Sequence, residues 1–203
     1  FMIISLCGFM GAGKSTLGKA IAVKTGYKFI DLDHYIEDKY ATTISNIFTK
    51  LGEEAFREKE KEALEEIIAE HNYLNSKGAY NVILSLGGGT VTSAPSARLV
   101  TNNTRCVYLK CSKEILLQRL LKNNSKRPLV AGKDTQELSN TIDTLMGKRE
   151  KLYIESASIV FNANNGKADA VAQKLIARLI TTCSLKQIED QSEPAEGETK
   201  YVL

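Results

Sequence analysis

The chain of 203 residues is 43% hydrophobic and 25% charged, which gives one good core and the composition of an ordinary globular protein. A formal net charge of +3, with no basic stripe carrying interleaved aromatics, argues against a nucleic-acid binder. No apolar run has the length of a spanning helix, and Met2 leads directly into a strand-like segment without a basic leader, so the chain is expected to be neither secreted nor membrane-embedded.

Taken in order, short β-branched apolar runs alternate with longer segments of helical period, the pattern of strand and crossover helix building a parallel sheet. Strands are expected at residues 2–7, 28–31, 82–86, 105–110 and 158–161. A helix over 14–25 is closed by Gly26, and a second over 112–122 is opened by Ser112. A last one over 168–181 carries Ala168, Val171, Ala172, Leu175, Ile176 and Leu179 on one face. Most charges between Glu53 and His71 read as a solvated face, and 71–81 as a polar surface connection. From Gln187 the composition turns to Glu, Gln, Ser, Pro and Gly, and a mobile tail is expected over 187–203 after a single domain over 2–186. The four cysteines are scattered, and Cys7 and Cys106 lie in apolar runs, which fits reduced thiols in the cytoplasm.

Gly8 to Thr16 reads Gly-Phe-Met-Gly-Ala-Gly-Lys-Ser-Thr, a G-x-x-x-x-G-K-[ST] loop with a strand before it and a helix after it. Such a loop curls its amides around a phosphate at a helix N-terminus. Binding of a nucleoside triphosphate follows, through Gly11, Ala12, Gly13, Lys14, Ser15 and Thr16. Lys14 is expected on the β- and γ-phosphates and the Ser15 hydroxyl on Mg²⁺. The loop leaves the acceptor open. Asp31-Leu32-Asp33 ends the second strand and puts two carboxylates on one side of an extended segment, at the sheet edge where α/β ligands bind. One carboxylate can hold the waters of Mg²⁺ and the other can accept a hydroxyl proton; helix capping is the alternative role for Asp33.

Six segments in order then carry a resemblance: this loop, the Asp31/Asp33 pair, Phe56-Arg57-x-x-Glu60, Ser85-Leu86-Gly87-Gly88-Gly89, Arg127-Pro128-Leu129 and Arg149-x-x-x-Tyr153. From Ile3 to about Leu179 the chain resembles the shikimate kinases. The resemblance implies an α/β three-layer sandwich around a five-stranded parallel sheet of the nucleoside-monophosphate-kinase type. It also implies transfer of the ATP γ-phosphate to the 3-hydroxyl of shikimate.

Arg57 and Arg149 are then the guanidinium pair for the acceptor carboxylate, a planar fork suiting that group better than an ammonium would. Glu60, one turn after Arg57, would hold that guanidinium in orientation. Gly87, Gly88 and Gly89 would offer amides to the acceptor, since three glycines after an apolar strand call for a close backbone approach or positive φ. Asp33 would act on the hydroxyl, and Asp31 would hold Mg²⁺ through water. Arg127, in a flap over 123–135, would close on the transferring phosphoryl group, and Arg119 would stack on adenine. A monomer is expected. Ser158, the Asn164-Asn165-Gly166-Lys167 loop and the tail depart from the family pattern and leave the base contacts open. Competing readings are a gluconate kinase, a nucleoside-monophosphate kinase, whose nucleotide acceptor would need an aromatic or apolar slot for the second base, or a non-catalytic nucleotide-binding regulator.

Overall fold

The computed structural model describes residues 2–75, 80–122, 132–164 and 166–191, with only the helical backbone over 183–191. Five strands form one parallel sheet in the order β2-β3-β1-β4-β5: β1 Ile3–Cys7, β2 Lys28–Asp31, β3 Val82–Ser85, β4 Arg105–Lys110 and β5 Ile159–Asn162. Every residue of β1 and β3 is buried, because helices cover both faces of a parallel sheet. That is why these strands read as largely apolar runs in the sequence, with only Ser5 and Ser85 as polar members.

The helices are α1 Lys14–Thr25, α2 Leu32–Tyr40, α3 Ile44–Asn75, α4 Ala94–Asn103, α5 Lys113–Lys122, α6 Thr135–Ser156 and α7 Ala168–Gln191, with a short 3₁₀ turn at Thr90–Thr92. Gly26 closes α1 in the left-handed conformation (φ 72°), as its position predicts. Leu17, Ile21 and Ala22 of α1 and Val171, Ala172, Leu175 and Leu179 of α7 enter the core. Among the described residues no helix is long and apolar enough to cross a membrane.

Three expectations are corrected. The polar connection begins later than His71: α3 runs to Asn75, because Ala63, Leu64, Ile67, Ile68 and His71 recur on one helical face and are all buried. The helix is interrupted at Gly52, whose φ of 83° and ψ of 175° are non-helical. At the other end, the last helix, expected over 168–181, carries its backbone to Gln191; residues 192–203 of the tail expected over 187–203 lie outside the described residues. Finally, Asp31 and Asp33 do not share an extended segment. Asp31 ends β2 and caps α2, its carboxylate accepting from the His34 amide at 3.4 Å, whereas Asp33 is already in the first helical turn. Capping therefore belongs to the first carboxylate of the pair.

Candidate active site

All five strands run in one direction, so their carboxyl ends converge on one edge, and the loops leaving β1, β2 and β3 build the site there. After β1 the chain must turn sharply between neighbours. Gly8 has φ 138°, and a Cβ there would stand 2.8 Å from the Leu109 carbonyl, so only glycine fits. The loop delivers Lys14 to the start of α1, where its buried ammonium donates to the carbonyls of Gly8 (2.8 Å) and Phe9 (3.2 Å). Lys14 lines a cavity of about 550 Å³ with Gly11, Ala12, Gly13, Ser15 and Thr16.

On the far wall of that cavity the Arg119 guanidinium donates to the carbonyls of Gly11 (3.3 Å), Ala12 (3.1 Å) and Ala163 (3.3 Å). Its in-plane donors are thus used to tie α5 to the phosphate loop and to the segment after β5. Stacking uses the face of a guanidinium rather than its edge, so these bonds are compatible with the expected role against a base. Ala163, Gly166 and Val171 line the same cavity, beside the loop that departs from the family pattern. Asn164 has a structural task, its Oδ1 accepting from the Ser112 amide at 2.7 Å. Ser158, another departure from the family pattern, donates its hydroxyl to the Cys106 carbonyl at 3.0 Å.

Below the loop, β2 and β3 bring Asp31 level with Ser85. The Ser15 hydroxyl donates to Asp31 Oδ2 at 2.5 Å and lies 3.2 Å from the Ser85 hydroxyl. These are hard oxygen donors at the foot of a phosphate-binding loop, a set that suits Mg²⁺. Among the described residues no cluster of three or more His, Cys, Asp or Glu could hold a metal by itself. Mg²⁺ does not need one, since it keeps waters and takes phosphate oxygens as ligands.

A second cavity of about 120 Å³ is lined by Arg57, Glu60, Gly87, Gly88, Gly89 and Arg149, with Ile44, Phe48 and Phe56 as its apolar wall. The two arginines come from α3 and α6 and meet over the glycine segment. Arg57 donates to Glu60 Oε2 at 2.6 Å and to the exposed Glu53 at 3.1 Å, and its guanidinium lies 5.2 Å from the Phe56 ring centre. Glu60 is fully buried, which no reading as a surface pair allows, and its other oxygen accepts from the buried Thr90 hydroxyl at 2.6 Å. Arg149 donates to the Gly88 carbonyl at 3.4 Å. None of Gly87, Gly88 and Gly89 has positive φ. Close approach is the reason for Gly89: a Cβ there would lie 2.3 Å from Arg57 Nη2.

Asp33, Met10 and Gly88 line both cavities. Burial raises the Asp33 carboxyl to about 6, and the neighbouring Asp31 carboxylate adds to the effect while the Lys14 ammonium opposes it. An acid of that strength, standing between a phosphate site and a pocket with two guanidinium groups, is suited to exchanging a proton with an acceptor hydroxyl near neutral pH.

Of the residues named from sequence, Lys14, Asp33, Arg57, Glu60, Arg149, the phosphate loop and the glycine triplet gather here, and Arg119 borders the nucleotide side. Arg127, and residues 123–131 of the flap expected over 123–135, lie outside the described residues. Downstream of them, Asp134 and Glu137 form a reciprocal cap that opens α6. Sequence reasoning gave no role to Met10, Ile44, Phe48 or Thr90, and none to the Tyr153 hydroxyl; their contacts span distant segments and leave no local pattern.

A parallel sheet with a phosphate loop on its central strand, joined through a carboxyl group to a pocket built for a small anion, defines a P-loop small-molecule kinase. The comparisons with known proteins specify which. The family model described as shikimate kinase matches residues 10–180. Shikimate kinases of Azobacteroides pseudotrichonymphae and Parabacteroides distasonis are 35% and 40% identical, over 87% and 79% of this chain and 98% and 87% of those proteins. A solved shikimate kinase from Acinetobacter baumannii, in complex with shikimate, superposes with a TM-score of 0.79 at 33% identity, covering 90% of this chain and 94% of that one. The enzyme of Bacteroides thetaiotaomicron gives 0.77 at 34% identity, with 88% and 98% covered. The chain belongs to the shikimate kinase family.

Proposed function

We propose that the chain transfers the γ-phosphate of MgATP to the 3-hydroxyl of shikimate, giving shikimate 3-phosphate and ADP. The observation that carries the acceptor assignment is the meeting of Arg57 and Arg149 in one small cavity that shares Asp33 with the phosphate-loop cavity. Two forked cations in a half-apolar pocket suit a ring bearing one carboxylate, and they suit a second nucleotide base poorly.

In this reading the amides of the phosphate loop and Lys14 hold the triphosphate, with Arg119 beside the base. Ser15, and Asp31 through water, would hold Mg²⁺, which when bound neutralises charge on the phosphate oxygens. Arg57, kept in place by Glu60, joins Arg149 and the glycine amides in fixing the acceptor carboxylate. Asp33 orients the attacking hydroxyl and takes its proton. Phosphoryl transfer passes through a loose transition state, so positioning by Asp33 contributes more than the deprotonation itself. Arg127, arriving with the flap, would stabilise the transferring group.

We read the chain as one kinase domain over 2–186, working as a cytoplasmic monomer. Cys7, Cys106 and Cys111 are buried thiols, which suits a reducing compartment. Coupled ADP-release assays with shikimate, gluconate, AMP or no acceptor test the assignment. Release that depends strictly on shikimate is expected, and equal release with gluconate or AMP would overturn it.

A further inference from the structure

Tyr153 is fully buried on α6, one turn after Arg149, with its ring against Tyr108 at 5.2 Å between centres. Its hydroxyl donates to the Gly88 carbonyl at 2.5 Å, the same oxygen that accepts from Arg149. Gly88 belongs to no strand or helix, so no ladder sets the plane of the peptide that joins it to Gly89. Two donors from α6 set it instead. In a trans peptide the N–H points opposite to the C=O. With the Gly88 oxygen turned toward α6, the Gly89 N–H is turned away from that helix. Among the described residues the amides of Gly88 and Gly89 donate to no protein partner, although Gly89 is buried and lines the acceptor cavity. A buried amide next to a cavity calls for an acceptor from a ligand.

We propose that Tyr153 is a positioning residue for the acceptor: its hydroxyl, by holding the Gly88 carbonyl, aims the Gly89 amide at the carboxylate that Arg57 binds. The role rests on the acceptor reading given above. Tyr153 is not among the residues that line either cavity. Burial pushes its phenol up to about 12, so it remains a proton donor across the working pH range.

Tyr153→Phe removes the hydroxyl and keeps the ring. The expected result is a shikimate KM raised about three- to tenfold, the range of one neutral hydrogen bond, with the KM for ATP within twofold and kcat little changed. A purely structural role for the hydroxyl would lower thermal stability and leave both KM values alone. The unmodified chain provides a second reading that needs no variant to fold. The only Gly-Gly peptides in the sequence are 87–88 and 88–89, so glycine labelled with ¹³C and ¹⁵N gives just two carbonyl-to-amide correlations. Addition of shikimate without nucleotide is expected to shift the 88–89 peak, and Tyr153→Phe to shrink that response. An unchanged shikimate KM in Tyr153→Phe, or an unmoved 88–89 peak in the wild type, overturns the proposal. Wild-type enzyme that does not phosphorylate shikimate overturns the acceptor reading together with it, whereas normal wild-type turnover with an indifferent variant overturns this inference alone.

Discussion

Thr90 donates its hydroxyl to Glu60 at 2.6 Å, and Glu60 in turn grips Arg57 at 2.6 Å, so a buried threonine after the third strand is linked to a guanidinium that lines the second cavity. Thr90→Val keeps the shape and strands one oxygen of a fully buried carboxylate, at a cost of about 1–3 kcal/mol. For a chain of this length that corresponds to a melting temperature lower by roughly 2–12 °C. Thermal denaturation checks it, alongside a raised KM for shikimate; Thr90→Ser, which restores the donor, is expected to recover most of both losses.

Asp33 gives a pH dependence whose sign follows from its raised acidity constant. The folded chain holds this proton more tightly than the unfolded chain, where the carboxyl has its ordinary value near 3.8. Its contribution to stability is therefore complete below about 3.8 and disappears as pH rises through about 6. Above pH 6 the folded protein carries an uncomfortable carboxylate, and Asp33→Asn is expected to raise the melting temperature there, by a stability gain of no more than about 3 kcal/mol. The same variant is expected to lose at least about a hundredfold in kcat while binding ATP normally. In the wild type, kcat/KM for shikimate should fall below an apparent value near 6, which a pH-rate profile measures directly. Full turnover in Asp33→Asn would remove the residue from the proposed role.

Asp31 serves two purposes that one substitution separates. Asn is as good a helix cap as Asp, so Asp31→Asn preserves the start of α2 while removing the charge beside Ser15. The expected outcome is an unchanged melting temperature with about a tenfold higher Mg²⁺ concentration for half-maximal rate, read from a Mg²⁺ titration at fixed ATP.

Gly89→Ala brings a methyl group to within 2.3 Å of the Arg57 fork, and the guanidinium has to leave its bond to Glu60 or the backbone has to move. Shikimate binding by calorimetry is expected to weaken by at least about tenfold while nucleotide binding is retained. Survival of wild-type affinity would show that the fork is not fixed where the structure places it.

Arg149→Lys tests the need for a fork rather than a charge. A lysine keeps the cation but loses the paired donors, and a roughly tenfold or larger rise in shikimate KM, with the ATP KM unmoved, is the expected result of steady-state assays.

Much of this arrangement was legible in the sequence for physical reasons. Strands buried on both faces, such as Val82–Ser85, have no polar face and show as plain apolar runs. A phosphate loop is local by nature, since its ligands are consecutive amides, and Arg57 with Glu60 needs only one helical turn. The two carboxylates after β2 were harder. Asp-x-Asp is compatible with a strand end or a helix start, and the amide of His34 decides it by bonding Asp31. His71 looked like a loop residue because its neighbours are polar, yet it completes a buried helical stripe. Tyr153 reaches an oxygen 65 residues away, and Thr90 a carboxylate 30 residues away, relationships that only the packed sheet creates.

The two chambers draw on largely separate stretches of chain. The phosphate loop with α5 and α7 makes one, parts of α3 and α6 with the glycine segment make the other, and among the described residues only Met10, Asp33 and Gly88 belong to both. Selectivity for the alcohol can thus drift, or be redesigned, on α3 and α6 without rewriting the machinery that grips the triphosphate. Exchange at the three common positions cannot be confined in that way, and those are the places where a change meant for one partner will be felt by the other.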